Sequence, residues 1–216
     1  MKIAVLGTGI VGKTISTKLI ALGHEVKMGS RTSNNEKASE WVASAGTKAS
    51  HGTFADAAAF AEIIFNCTKG DASLEALKLA GEKNINGKIL VDISNALDFS
   101  KGMPPTLFIC NDNSLGETIQ KTFPAVKVVK TLNTMNCALM VNPSLVAGDH
   151  TVFVSGNDAD AKTQVKKILA SFGWSEKNTI DVGDITTARG TEQLLPIWIR
   201  LMVAFNSPNF NFHIAK

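Results

Sequence analysis

Apolar positions along the chain alternate between two rhythms. Lys2 to Leu6 is a short apolar run, and after a glycine-rich turn Ile10, Ile15, Leu19, Ile20 and Leu22 recur at helical spacing until Gly23. His24 to Met28 predicts a second strand. The rhythm repeats with Ala-rich residues 55 to 61, a strand at Glu62 to Cys67, a helix over Asp71 to Ala80 closed by Gly81, and a strand at Lys88 to Ile93. Ser100 to Pro105 reads as loop, Leu115 to Thr122 as helix and Ala125 to Leu132 as strand. Thr151 to Ser155 and Thr179 to Val182 read as strands with a helix over Asp158 to Ser171 between them, and one final helix runs near Thr187 to Phe205. Strands that alternate with helices predict an α/β fold: a doubly wound, mostly parallel sheet covered on both faces.

The residues between 7 and 14 satisfy two patterns at once. As G-x-G-x-x-G, Gly7, Thr8, Gly9, Ile10, Val11 and Gly12 form the turn of a dinucleotide-binding Rossmann fold; as G-x-x-x-x-G-K-[ST], ending on Lys13 and Thr14, they wrap a nucleoside triphosphate. The second reading also uses Ile89-Leu90-Val91-Asp92 as a strand ending in a metal-binding aspartate. The two differ in where the helix begins: near the second glycine for a dinucleotide, at Lys13 for a triphosphate. The dinucleotide reading makes a further, separate prediction about the end of the second strand. An acidic residue there would suit NAD; this chain has Ser30-Arg31-Thr32-Ser33, and Arg31 offers a permanently charged fork to the 2′-phosphate of NADP. Gly7, Thr8, Gly9, Ile10, Val11, Gly12, Ser30, Arg31 and Thr32 are therefore the expected NADP(H) contacts. The expected organisation is a single dinucleotide-binding domain over 1–216, with 1–135 the core and 136–216 a C-terminal strand and helix extension completing an acceptor site.

Composition removes several alternatives. The chain has 216 residues, 44% hydrophobic and 19% charged, with a net charge of +3, and only Lys166-Lys167 sets two cations side by side. No stripe of cations and stacking aromatics points to nucleic acid, and no apolar run is long enough to span a bilayer, so a cytoplasmic protein with no membrane partner is expected. Cys67, Cys110 and Cys137 are isolated, which signals neither disulfides nor zinc. No metal site is expected. There is no tyrosine to protonate a carbonyl, and His24, His51, His150 and His213 lie apart.

An acceptor that needs little acid–base help then becomes attractive, such as a flavin-like ring that takes hydride directly. Ligands of open α/β sheets bind beyond the carboxyl ends of the strands. Those ends carry Asn66-Cys67-Thr68, Ser94-Asn95-Ala96 and Asn133-Thr134-Met135, the candidates for positioning nicotinamide or acceptor, although asparagine is also a common turn former.

The chain resembles the deazaflavin (coenzyme F420)-dependent NADP oxidoreductases and related NADPH-dependent reductases, including the cytosolic domains of membrane metalloreductases. Ala4-Val5-Leu6-Gly7-Thr8-Gly9, Gly12-Lys13, Leu22-Gly23-His24-Glu25-Val26 and Gly29-Ser30-Arg31 carry the resemblance. It continues through Lys127-Val128-Val129, Asp181-Val182-Gly183, Arg189, Glu192 and Pro196. The resemblance implies that Thr8, Ser30 and Arg31 hold the 2′-phosphate, with Lys37 assisting where the intervening loop brings it close. It implies hydride transfer between NADP(H) and a small-molecule acceptor, with a flavin or deazaflavin as co-substrate. On the acceptor side the chain departs from the family, with Thr68-Lys69-Gly70 in place of Pro-Trp, Asn133-Thr134 in place of histidine before threonine, and Met135-Asn136-Cys137 in place of Ile-Pro-Ala. An NADPH-binding sensor without turnover is the alternative. The apolar last helix fits either a core helix or, as the resemblance implies, a homodimer contact.

Overall fold

The computed structural model describes residues 1–215. The first half of the chain runs β1 (Lys2–Leu6), α1 (Ile10–Ala21), β2 (Glu25–Ser30), α2 (Glu36–Ala45), β3 (Ala49–Thr53), α3 (Phe54–Phe60), β4 (Ile63–Asn66), α4 (Gly70–Ala80), α5 (Glu82–Ile85) and β5 (Ile89–Asp92). A two-stranded antiparallel hairpin follows, β6 (Leu97–Asp98) and β7 (Thr106–Leu107). The chain then continues through α6 (Leu115–Thr122), β8 (Lys127–Thr131), α7 (Cys137–Val141), β9 (Val152–Gly156), α8 (Ala159–Phe172), β10 (Thr179–Gly183), α9 (Ala188–Gln193) and α10 (Leu195–Phe205).

Eight strands form one sheet in the order β10-β9-β8-β5-β4-β1-β2-β3, and every joint is parallel except β8 with β9. The fold is the mostly parallel, doubly wound α/β sheet expected. Its central strands are buried on both faces, which is why β1, β4 and β5 read as near-continuous apolar runs. Their side chains divide by the period of two. Ile3, Val5, Ile89 and Val91 face a core with α1, α2, α7 and α8, while Ala4, Leu6, Ile64 and Leu90 face a second core with α3, α4, α6 and α9. Each fully buried Leu, Ile or Val contributes roughly 1.5–3 kcal/mol. The order reverses between β1 and β4, so a crevice opens beyond their carboxyl ends.

Two departures from expectation have local causes. Residues 36–53, given no element above, form α2 and β3. Ala38 and Trp41 are the only buried side chains of α2, and β3 is an edge strand of sequence Ala-Ser-His-Gly-Thr, so neither carries a strong apolar signal. The expected single last helix is two, broken around Leu194. Pro196 has no amide to continue the ladder, so α10 restarts at Leu195 with proline in its first turn. No helix among the described residues is long and apolar enough to cross a membrane.

Candidate functional site

The turn after β1 decides between the two phosphate motifs. Gly9 is the N-cap and α1 begins at Ile10, with the Lys13 amide already bonded to the Gly9 carbonyl at 2.9 Å. Lys13 and Thr14 are thus inside the helix, where they line an outer groove with Trp41, and Lys13 lies 3.7 Å from Glu40. This is the dinucleotide geometry. The glycines have separate duties: Gly7 sits at φ +118° against the Cys67 carbonyl, and a Cβ on Gly12 would lie 2.1 Å from the Gly7 oxygen. A Cβ on Gly9 would meet nothing within 4 Å, so its outer face is open. The first amides of α1 have no partner within the helix and no acidic residue competes in its first turn, leaving a positive pole for an anion.

Two cavities flank that turn. One of about 310 Å³ is lined by Gly7, Thr8, Gly9, Ser30, Arg31 and Asn35 on one side and by Phe54 and α4 on the other. The second, about 830 Å³, takes in Ile10 and Val11 of α1, Asp71 of α4, Ile93, Ser94 and Asn95 after β5, and Leu97, Asp98, Phe99 and Phe108 of the hairpin region. Gly9, Cys67, Thr68 and Lys69 line both, so the cavities form one groove across the sheet's carboxyl edge. Arg31 is exposed and has no ion-pair partner among the described residues. Thr32 and Lys37, both exposed, lie outside the lining of either cavity. The Thr32 carbonyl instead accepts the Ser30 hydroxyl at 2.6 Å, while Asn35 caps α2 through the Ala38 amide and places Lys37 in its first turn.

The three strand-end asparagines are not equivalent. Asn66 is fully buried: its Nδ2 donates to Asp92 at 2.8 Å and Ser73 at 3.1 Å, and its Oδ1 accepts the Thr68 hydroxyl at 2.6 Å. Asn133 donates to Asn95 Oδ1 at 3.0 Å and to the Thr191 carbonyl, and Asn95 donates back to the Asn133 carbonyl at 2.9 Å. Asn133, Thr134 and Met135 are buried and line neither cavity, and nor do Asn66 and Ala96. The expectation that all three strand ends wall the ligand space is corrected accordingly: only Cys67, Thr68, Ser94 and Asn95 reach it, because the rest are consumed in internal bonds or packing.

Beneath them lies a charged cluster. Lys130 of β8 is fully buried between Asp92 and Glu192, each at 2.8 Å, and also donates to the Ser94 carbonyl. Burial alone would lower the Lys130 pKa, but the two carboxylates outweigh it and leave it raised. Glu192 in turn accepts the Leu115 and Gly116 amides at 2.8 and 3.0 Å, capping α6. Asp92 is therefore committed to Lys130, which removes the last support for a triphosphate site. Burial, with Asp92 nearby, pushes the Cys67 thiol far above its usual range, so it stays protonated.

Sequence reasoning missed Asn35, Lys130 and the hairpin phenylalanines Phe99 and Phe108, and named Lys69 and Gly70 only as a departure from the family, with no role. A lysine within the apolar strand Val128 to Leu132 was the available signal for the cluster. Gly70 could not be read as special without the fold, since its Cβ would fall 2.0 Å from the Asn95 oxygen. Ile197, Val203 and Phe205 of α10 are exposed, so that helix is not wholly a core element. No group of three metal-ligating side chains occurs among the described residues.

Comparisons with known proteins agree with this geometry. A family model described as NADP oxidoreductase, coenzyme F420-dependent, matches residues 2–96. The crystal structure of a candidate F420-dependent NADP-reductase from Arthrobacter sp. FB24 is 56% identical, with full coverage of both chains and a TM-score of 0.94. The rat metalloreductase STEAP3 is 28% identical over 97% of this chain, which spans only 41% of that protein's length. An imine reductase from Myxococcus stipitatus in complex with NADP+ shares the fold, with a TM-score of 0.67 at 16% identity, over 95% of this chain and 63% of the other.

Proposed function

Because this chain belongs to the family of coenzyme F420-dependent NADP oxidoreductases, we propose that it transfers hydride between NADP(H) and a small planar acceptor: a flavin, a deazaflavin or a quinone-like ring. The observation that carries the reading is the continuity of the groove. One end offers Thr8 and the unpaired Arg31 to the 2′-phosphate, with Ser30 in the cavity wall beside them, and the start of α1 offers its free amides to the pyrophosphate. The nicotinamide then lies by Cys67, Thr68 and Lys69, where the cavities join, and the acceptor stacks in the larger cavity against Phe99 and Phe108. Holding two rings face to face at reacting distance supplies most of the catalysis.

Calorimetry with NADPH and NADH, followed by stopped-flow oxidation of bound NADPH by riboflavin, FMN, a deazaflavin and menadione, tests the reading. A preference for NADPH and turnover with at least one ring are expected. Equal affinity for the two coenzymes, or NADPH that no acceptor oxidises, overturns it.

A further inference from the structure

The larger cavity has an acid–base imbalance. Of the side chains lining it that can carry a proton to spare, Asp71 and Asp98 are carboxylates, and Asp98 is held ionised because the Ser100 amide and hydroxyl both donate to it. The Cys67 thiol keeps its proton too tightly to give it up. No tyrosine exists in the chain, and no histidine lines the cavity. Lys69 is the one cation in the lining, and it sits on the boundary shared with the cofactor cavity. Its ammonium has no ion-pair partner among the described residues, in contrast to the saturated Lys130 below it.

The backbone holds Lys69 at that boundary by an unusual approach. Lys69 is the N-cap of α4, its carbonyl accepts the Ala72 amide at 3.0 Å and the Ser73 hydroxyl at 3.1 Å, and a Cβ on the next residue, Gly70, would fall 2.0 Å from the Asn95 carbonyl oxygen in the loop after β5. The Lys69 backbone is thereby fixed between the carboxyl ends of β4 and β5, with its side chain exposed at the junction of the two cavities, which hydride crosses on the reading above.

We infer that Lys69 is a catalytic residue: its ammonium faces the acceptor heteroatom that becomes negative as hydride arrives, and gives that atom a proton. The inference rests on the hydride-transfer reading above. In the step, the C4–H bond of the dihydronicotinamide breaks and both electrons pass with hydrogen to the acceptor, oxidising NADPH to NADP+. The displaced electron pair on the acceptor's oxygen or nitrogen takes a proton from Nζ, so one N–H bond breaks and one O–H or N–H bond forms. Water at the open groove reprotonates the amine. The acceptor class is a quinone or flavin-type ring whose heteroatom is conjugated to the carbon or nitrogen that receives hydride.

The test is single-turnover oxidation of bound NADPH by menadione and by riboflavin in the wild type, Lys69→Met and Lys69→Arg, with NADPH affinity measured by calorimetry. Lys69→Met is expected to slow transfer ~100-fold, the low end of general acid catalysis, and to leave the NADPH Kd within about twofold. Lys69→Arg keeps the charge but withholds the proton, so it is expected to fall between, and the wild type's solvent deuterium isotope effect should vanish in Lys69→Met. A Kd raised about tenfold with the transfer rate intact would make Lys69 a cofactor phosphate contact and overturn the inference, as would no change in either quantity. Failure of the wild type to oxidise NADPH with any acceptor overturns the underlying reading itself, a different result from failure of the variants alone.

Discussion

The two flanks of the sheet's carboxyl edge use polar residues in opposite ways. On the β1–β2 flank, Arg31 and the first amides of α1 are unpaired and open to the groove. On the β5–β8 flank, Asn95, Asn133, Asp92, Lys130 and Glu192 bond to one another and to the amides that start α6. A polar side chain at a strand end is available to a ligand only while its hydrogen-bonding capacity is unspent, and residue type alone does not reveal which case applies.

The sharpest way to break that contrast is Lys130→Met. Removing the cation strands two buried carboxylates, and urea denaturation should show a loss of about 3–5 kcal/mol. A stable variant would mean that the far flank is idle rather than a frame. On the near flank the expected loss is in binding: Arg31→Ala should weaken NADPH by ~2 kcal/mol through a missing charge-assisted pair, and leave both NADH affinity and the thermal midpoint nearly unchanged. Equal losses for both coenzymes would move Arg31 away from the 2′-phosphate.

Asn133→Ala sharpens the comparison from the other side. It should cost about 1 kcal/mol of stability for the bonds to Asn95 and Thr191 while NADPH affinity, by fluorescence titration, stays as it was. Weakened coenzyme binding without destabilisation would return Asn133 to the ligand. The smallest effect concerns pH. Bonds from Arg189 hold the Glu117 pKa below its ordinary value, so this pair stabilises the fold above the unfolded-state pKa, and the contribution is lost as pH falls through the lowered one. Melting curves taken into the acid range should fall less steeply for Arg189→Met, and identical slopes would refute the assignment.

Most of the sheet was legible because β1, β4 and β5 are buried on both faces and therefore mostly apolar, and because the helices α1 and α4 are followed by Gly23 and Gly81, each at positive φ. The glycine turn was legible for a related reason: Gly7, at positive φ, and Gly12, against the Gly7 carbonyl, answer local backbone demands that the sequence must meet in place. The lining of the larger cavity was not. Whether Asn66 or Lys69 meets a ligand depends on contacts with Asp92, Ser73 and Asn95, residues brought near only by strand order. The break at Leu194 was readable from Pro196, whereas α2 was not, because little of its surface is covered.

The reversed direction of β9 has a practical consequence for handling the protein. Because β9 runs against β8, its first residue lies on the same rim as the groove, and there the Thr151 amide and carbonyl bond to Phe212 and Asn211 of the closing segment. Met1 precedes β1 at the opposite rim. A fluorophore carried on Asn211 or Phe212 would therefore sit on the groove's rim of the sheet, whereas one placed just ahead of β1 would sit on the rim away from it.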